Sequence, residues 1–203
     1  KQVSAPVPTL PAPLAKTIKD QVATTRIYRT WAVPGLDNPD YLPLDLAASV
    51  LGGLASSRLD DALVRQQKVA VAVSSSASIF AQAGQFEVMA DVTPGQDVAK
   101  VAAALDAEIA KFIKEGPTAD EMLRAATSAT AGEIRGLETT GGGAGKAPTL
   151  AEGLLYNGDP QHYRTELARI AAMKPVDVTA AMQKWLTRPV FALTVEPGAR
   201  EQG

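Results

Sequence analysis

A glycine-rich stretch, a single histidine and a serine triplet are the features of this 203-residue sequence that suggest chemistry. The glycine-rich stretch reads ETTGGGAGK from Glu138 to Lys146, and glycines followed by a lysine are typical of phosphate-binding loops. The spacing of a P-loop is absent, because position 140 is a threonine and Lys146 is followed by Ala147. We therefore predict a hinge or a peptide-contacting loop, formed by Gly141, Gly142, Gly143, Gly145 and Lys146.

His162 is the only histidine, and the sequence has no cysteine. With Glu166 it forms an i, i+4 pair that can lie on one helix face and offer two metal ligands. A structural zinc site needs about four ligands, and neither H-x-x-E-H nor H-E-x-x-H occurs. A surface hydrogen bond or a charge at a helix end is the favoured interpretation of the pair. We predict no metal site, no cofactor and no catalytic residue in this segment.

Two other polar groups have both a structural and a functional interpretation. Ser74–Ser76 lies in a predicted strand without the G-x-S-x-G turn of a serine nucleophile, which favours a structural role. Arg26, Arg29 and Trp31 could form a cationic and aromatic surface for a peptide or a partner. The favoured interpretation of these three residues is structural: they form one solvated face and one anchor of an edge strand.

The composition excludes several classes of function. The chain has 20 lysines and arginines against 22 aspartates and glutamates, a net charge of −2 that does not favour nucleic acid as a partner. It has no uninterrupted apolar run of about 18 residues or more, so we predict no membrane span. With 46% hydrophobic residues in 203, it is long enough for one sizeable core.

The pattern of elements predicts one α+β domain over residues 21–197. Before it, residues 1–20 are predicted to be a linker or docking arm, because prolines interrupt small residues at positions 6, 8, 11 and 13. Residues 198–203 are predicted to be a linker or tail. The predicted order is strand, helices, hairpin, two long helices, shorter helices and strand. That order favours a two-layer sandwich, with a mostly antiparallel sheet and helices packed on one face.

Local signals place several of these elements. Period-two alternation in KVAVAVSSSASIF and GQFEVMADV predicts an antiparallel hairpin, joined near Ala83 and Gly84. Helical periodicity after Val98 predicts an amphipathic helix that ends at Gly116. Thr118 and Glu121 have the spacing of a capping box, which predicts the start of a second long helix.

Several stretches in this order resemble the pitrilysin/insulinase family of zinc peptidases, the inverzincins. They are RTWAVPG, then DYLPLDLAASVLGGLASSRLDDALV, KVAVAVSSS and AGQFEVMADVTPG, followed by KEGPTADEMLRA, GGGAGKAPTLAEGLLYNGDPQHY and ALTVEPG. The resemblance covers residues 21–198 and is closest to the second domain of a large bacterial member.

The resemblance implies a non-catalytic domain. Members of the family are built from homologous α+β domains in two halves that enclose a chamber around an unfolded peptide. Catalysis there comes from a separate H-x-x-E-H domain, in which zinc polarises water and a glutamate acts as base. No catalytic or metal role transfers to any position here. Tyr156, Tyr163 and Arg164 do not match the spacing of the arginine and tyrosine that assist catalysis in some members.

The leading hypothesis is therefore a domain that forms the substrate chamber and domain interfaces, with zinc in the catalytic domain of the parent protein. The expected partners are a catalytic domain of the same chain or of a partner subunit, and peptide substrate in the assembled chamber. One alternative is a stand-alone binding or assembly subunit that pairs with a catalytic chain. Another is an independent, nucleotide-dependent enzyme. The resemblance to exported bacterial members favours the periplasm or cell envelope.

Overall fold

The strands of the molecule form one five-stranded sheet. The computed structural model describes residues 6–140 and 145–200. In chain order the strands are β1 (Leu14–Asp20), β2 (Arg26–Pro34), β3 (Ala70–Ile79), β4 (Ala83–Val92) and β5 (Phe191–Pro197). Their spatial order is β1, β5, β2, β4, β3. Only the β1–β5 pair is parallel, so the predicted α+β class and mostly antiparallel sheet are confirmed.

Helices connect the strands and cover one face of the sheet. They are α1 (Tyr41–Ala48), α2 (Val98–Glu115), α3 (Ala119–Glu138), α4 (Lys146–Asn157), α5 (His162–Ala172) and α6 (Pro175–Trp185). Two π-helical segments, Ser49–Gly53 and Asp60–Gln66, follow α1. The two long helices and the shorter helices after them occur in the predicted order.

The prediction that residues 1–20 form a linker or docking arm is wrong for residues 14–20. Leu14–Asp20 is β1, which pairs with β5 from Leu14 opposite Phe191 to Asp20 opposite Pro197. The last of the four prolines is Pro13, one residue before the strand begins. Residues 6–13 have irregular backbone, as their proline content predicted, whereas residues 14–20 contain no proline and can pair.

Alternate residues of the central strands form the core. Ile27, Trp31 and Val33 of β2 and Phe86 and Val88 of β4 are buried on the face that the helices cover. Trp31 and Phe86 pack edge to face, with ring centroids 6.2 Å apart. Burial of each such side chain stabilises the fold by about 1.5–3 kcal/mol relative to exposure.

The helix ends agree with the sequence signals. The Asp97 carboxylate accepts hydrogen bonds from the backbone N–H groups of Ala99 and Lys100 and so caps α2. Gly116 ends that helix with a φ of 72°, a conformation that glycine adopts without steric cost. The predicted capping box of Thr118 and Glu121 is present at the start of α3.

The predicted hairpin is also confirmed, but its turn comes earlier than predicted. The Phe80 N–H donates to the Ala83 carbonyl, at an N···O distance of 3.2 Å, so the chain turns before Ala83. Gly84 lies within β4, where a Cβ atom would come 2.6 Å from the Ser78 carbonyl oxygen. This glycine therefore permits close strand pairing and does not form the turn.

A second close approach places α1 beside β3. A Cβ atom on Gly52 would lie 2.7 Å from the Ser75 backbone nitrogen, so the π-helical turn after α1 rests directly on the strand. At the other side, a Cβ atom on Gly153 of α4 would lie 2.6 Å from the Asp159 carbonyl oxygen. Glycine at these two positions therefore lets the turn after α1 pack on β3 and lets α4 pack closely on the connection to α5.

Candidate functional site

A cavity of about 340 Å³ lies between α1, the C-terminal end of β3 and helices α3, α4 and α5. One carboxylate from each of the four helices lines it: Asp45 of α1, Glu133 of α3, Glu152 of α4 and Glu166 of α5. Tyrosine rings complete much of the wall, whereas no lysine or arginine from residues 6–140 and 145–200 lines it. We call this cavity the acidic cleft.

Tyr41 and Glu166 join α1 to α5 at the cleft wall. The Tyr41 hydroxyl donates a hydrogen bond to the Glu166 carboxylate, and the Arg169 guanidinium lies 5.6 Å from the centroid of the Tyr41 ring. Burial and the bond to Glu166 raise the pKa of Tyr41 well above its ordinary value. The phenol therefore stays protonated and acts as a donor across the physiological pH range.

The other carboxylates of the cleft lack compensating charge. Asp45 is open to solvent, yet the surrounding protein partly desolvates its carboxylate, which raises its pKa. Burial also raises the pKa of Glu133, and the negative charges of Glu166 and Glu152 add to this effect. The acidic cleft is thus a region of negative potential suited to a cationic group.

The His162–Glu166 pair lies on one face of α5, as the spacing predicted. The His162 Nε2 atom is 3.7 Å from a Glu166 carboxylate oxygen, and Glu166 also binds Tyr41. A catalytic zinc at this pair would need a third protein ligand close to His162 and Glu166. The described part of the chain contains no group of three histidine, cysteine, aspartate or glutamate side chains able to hold a metal. The residues present therefore do not fit a catalytic zinc, which needs three protein ligands and a water.

The predicted peptide-contacting or hinge loop is described only at its end. Gly141, Gly142 and Gly143 lie outside the described residues. Gly145 precedes the first turn of α4, and the Lys146 N–H donates to the Thr139 carbonyl at 2.8 Å. Thr149, one turn further along α4, lines the acidic cleft. The stretch therefore leads into a helix that forms one wall of the cleft, and its role in peptide contact stays a prediction.

The remaining polar candidates have structural roles. Arg29 is buried, and its Nε donates to Asp106 of α2 at 2.7 Å. Trp31 lies in the core, whereas Arg26 pairs with Asp91 at 2.7 Å on the opposite face of β2. The two arginines and the tryptophan therefore do not form one surface, and their contacts are structural. The predicted position in an edge strand is wrong, because β2 is the central strand of the sheet, between β5 and β4. Ser74–Ser76 lies within β3, with no histidine among the residues that pair with it.

Sequence reasoning did not identify the carboxylates of the acidic cleft as a group. From Asp45 to Glu166 they span 121 positions and belong to four different helices. On each helix, a single acidic residue cannot be distinguished by sequence from an ordinary solvent-exposed polar residue. The one signal in the sequence was the His162–Glu166 spacing, which located the α5 wall.

The first 128 residues carry a family pattern. They match the family model of the peptidase M16 inactive domain. The chain belongs to this family. The resemblance to pitrilysin/insulinase-type zinc peptidases, inferred from the order of short stretches, is thereby confirmed.

Known proteins extend this similarity over most of the chain. An uncharacterized zinc protease of Streptomyces coelicolor is 32% identical over 160 residues, which make up 77% of this chain and 34% of that protein. A peptidase M16 inactive domain from Pseudomonas fluorescens has the same fold, with a TM-score of 0.80 at 19% identity over 99% of this chain and 47% of that one. The periplasmic protease PqqL from Escherichia coli also has this fold, with a TM-score of 0.71 at 15% identity over 92% of this chain and 21% of that one.

The chain therefore spans about a third of the zinc protease that it matches. The fold of the Pseudomonas fluorescens M16 inactive domain matches 99% of the chain. None of the helices in residues 6–140 and 145–200 has the length and apolarity that crossing a membrane requires.

Proposed function

We propose that this chain is a non-catalytic domain of a zinc metallopeptidase and forms part of the wall of its substrate chamber. Proteolysis would be carried out by a separate domain that bears H-x-x-E-H and zinc. The observation that carries the proposal is the combination of an M16 inactive-domain fold with a cleft that lacks zinc ligands. The partial coverage of the Streptomyces coelicolor zinc protease supports a larger parent protein or assembly.

A wall domain contributes to proteolysis without supplying a catalytic group. A peptide chain must be unfolded and aligned before water attacks it, and an enclosing surface lowers the entropic cost of that alignment. The acidic cleft adds negative potential to one surface of such a chamber. The expected partners are thus a catalytic domain, in the same chain or in another subunit, and peptide substrate.

Exposed apolar side chains are a second feature that supports contact with a neighbouring domain. Several large apolar side chains are exposed on the helices: Leu123 and Ile134 of α3, Leu154 and Leu155 of α4, and Val176 of α6. Residues of this kind are common at interfaces between domains. They support a helix-side interface with the catalytic domain, and the same feature would serve a stand-alone assembly subunit.

Reconstitution tests this proposal. The 203-residue chain would be mixed with the H-x-x-E-H domain encoded in the same genome, and cleavage of a quenched fluorescent peptide would be measured for each component and for the mixture. We expect cleavage only when both are present, or a clear increase when this chain is added. Full activity of the catalytic domain alone, unchanged by this chain, would contradict the proposal.

The native mass distinguishes a domain from a subunit. A denaturing blot with an antibody against this chain would show a band far above 21.2 kDa for a domain of a larger protein, and a band near that mass for a stand-alone subunit. Fractionation of the same cells tests the proposed periplasmic or envelope location, which is supported by the fold shared with PqqL.

Metal analysis provides a further prediction. We expect the purified chain to hold no stoichiometric zinc and to cleave no peptide alone, because it has one histidine and no cysteine. About one tightly held zinc per chain in elemental analysis would contradict this.

A further inference from the structure

A second cavity, of about 290 Å³, lies on the face of the sheet opposite the helices. Ala32 of β2 lines it, and this side chain points away from the helices because the neighbouring Trp31 and Val33 point into the core. Pro8 and Leu10, from the segment before β1, also line it. We call this cavity, between residues 8–10, β2 and the start of β5, the arm pocket.

Among the described residues, Arg188 is the one charged side chain that lines the arm pocket. The central carbon of its guanidinium lies 4.0 Å from the centroid of the Trp185 ring, and its Nη1 donates a long hydrogen bond, of 3.4 Å, to the Thr9 hydroxyl. Trp185 is buried, and its Nε1 donates to the Asp40 carboxylate, so the ring is a fixed platform. Stacking on this ring therefore holds the cation at the cavity.

The guanidinium of Arg188 has N–H donors left for an anion. Within residues 6–140 and 145–200, Thr9 is its one hydrogen-bond acceptor, and no carboxylate forms an ion pair with it. Arg26, Arg29 and Arg58, by contrast, each pair with a carboxylate. An arginine that is half-buried, oriented and unpaired matches the two-oxygen geometry of a free carboxylate.

The other residues of the arm pocket suit an apolar group beside that carboxylate. Pro8, Leu10 and Phe191 present hydrocarbon surface, on which an apolar side chain is buried favourably. The hydroxyl groups of Thr9 and Thr30 offer hydrogen-bonding partners for a peptide amide. The volume of about 290 Å³ lies just below the usual range of about 300–1,000 Å³ for ligand pockets, which fits one amino-acid residue better than a long acyl chain.

We propose that the arm pocket binds the C-terminal residue of a peptide, with its α-carboxylate on the Arg188 guanidinium and a large apolar side chain against Leu10 and Phe191. The ligand class is therefore a peptide that ends in an apolar residue, such as leucine, with a free carboxylate. The choice of a peptide as the source of the carboxylate rests on the proposed function, because a peptidase chamber holds substrates and products that end in this group.

Probes that differ at one chemical group test the ligand class on the unaltered 203-residue chain. They are an acetylated pentapeptide of glycine and serine that ends in leucine, the same peptide with a C-terminal amide, the same peptide ending in glycine, and octanoate. Binding would be followed by NMR chemical shifts, including the arginine Nε–H signals, at up to about 10 mM ligand, because ligands of this size bind at about 0.1–1 mM.

The free leucine peptide is expected to bind most tightly. Its affinity should exceed that of the amide about tenfold, since hydrogen bonds to a charged group are the stronger ones, and that of the glycine peptide about tenfold, through burial of the leucine side chain. Octanoate should bind more weakly than the leucine peptide, because it has no amide for Thr9 and Thr30. Octanoate binding as tightly as the leucine peptide would overturn the assignment to a peptide.

Matched protein variants test the position of the site. Arg188→Gln should weaken the free leucine peptide about tenfold and leave the amide within about twofold, whereas Ala32→Leu, which fills the cavity, should weaken both. Arg124→Gln is the control, because Arg124 is exposed on α3 and does not line the arm pocket. Thermal unfolding shows that each variant is folded. No binding of the leucine peptide, equal binding of acid and amide, or no effect of Arg188→Gln would overturn the proposal.

The reconstitution assay separates this inference from the proposed function. If the chain is needed for peptide cleavage but free and amidated C termini are bound and cleaved equally, only the inference about the arm pocket is wrong. If the chain binds the free leucine peptide selectively but never alters cleavage by the catalytic domain, the arm pocket is assigned correctly and the proposed function is wrong.

Discussion

Replacing Arg58 by methionine tests whether one guanidinium holds the turn between α2 and α3. The Nε and Nη2 atoms of Arg58 bind the two carboxylate oxygens of Glu121 at 2.7 and 2.8 Å, and Nη2 also donates to the Gly116 carbonyl at 2.9 Å. The same guanidinium lies 4.7 Å from the centroid of the Phe112 ring. Methionine is also long and unbranched and can pack on Phe112, so the substitution mainly removes charge and hydrogen bonds.

The expected loss follows from the burial of the pair. The Arg58 and Glu121 side chains are only 17% and 16% exposed. Breaking a fully buried pair costs about 3–5 kcal/mol, and an exposed pair contributes about 1 kcal/mol or less. For this partly buried bidentate pair we expect the free energy of unfolding to fall by about 2–3 kcal/mol at pH 7.

The pKa of Glu121 gives a second estimate of the same interaction. Burial opposes ionisation, but hydrogen bonds from Arg58 and Thr118 outweigh it and lower the pKa from 4.5 to about 2. At about 1.36 kcal/mol per pKa unit this is at most about 3.4 kcal/mol, and residual solvent screening reduces it to about 1–2 kcal/mol. Because the pKa is lower in the folded state, the contribution is full above pH 4.5 and is lost as the pH falls toward 2.

A double-mutant cycle in urea provides the measurement. Unfolding of the wild type, Arg58→Met, Glu121→Gln and the double variant would be followed by the fluorescence of the buried Trp31 and Trp185. We expect a coupling free energy of about 1–2 kcal/mol at pH 7 and a smaller one at pH 3. A loss below about 0.5 kcal/mol for Arg58→Met, or a coupling near zero at pH 7, would refute the reasoning.

Three further substitutions are expected to change stability, one lowering it and two raising it. Gly116→Ala should destabilise the chain by about 2 kcal/mol or more, because φ is 72° and the new Cβ atom would lie 1.9 Å from the Thr179 hydroxyl oxygen. Gly132→Ala should stabilise the chain by about 0.5–1 kcal/mol, because Gly132 lies in α3 and a Cβ atom there would have nothing within 4 Å. Thermal unfolding that ranks the two variants in the other order would contradict this. Asp45→Asn should raise the free energy of unfolding at pH 7 by about 0.5–1 kcal/mol, whereas Asp37→Asn, at an exposed loop position, should leave it unchanged.

The fold could be predicted from the sequence where local signals and burial agree. The Thr118–Glu121 capping box, the glycine after α2 and the alternation of β4 each specify one conformation, and the structure has all three. β1 was not predicted because its pairing partner, β5, lies more than 170 positions away in the sequence. Its own residues, LAKTIKD, are mostly exposed and carry little hydrophobic pattern. A strand of this kind is specified by its partner and not by its local sequence.

The candidate site was predictable only in part, for a related reason. His162 and Glu166 are one helical turn apart, so their proximity is encoded locally. The contact of Tyr41 with Glu166 spans 125 positions, and no periodicity links two such residues. Composition alone predicts no zinc site, since one histidine and no cysteine cannot form the usual sites, and elemental analysis of the purified chain tests that prediction.

The carboxylate of Asp45 opposes folding, and this gives Asp45→Asn its diagnostic value. Burial raises the pKa of Asp45 above its ordinary value of 3.8, so the folded state disfavours the charged form. The charged carboxylate therefore lowers the free energy of unfolding above the folded pKa, and this cost disappears below about pH 3.8, when the group is protonated in both states. Asparagine removes the charge, so its stabilising effect should be present at pH 7 and absent at pH 3. Destabilisation at pH 7 would instead indicate that the carboxylate has a structural partner.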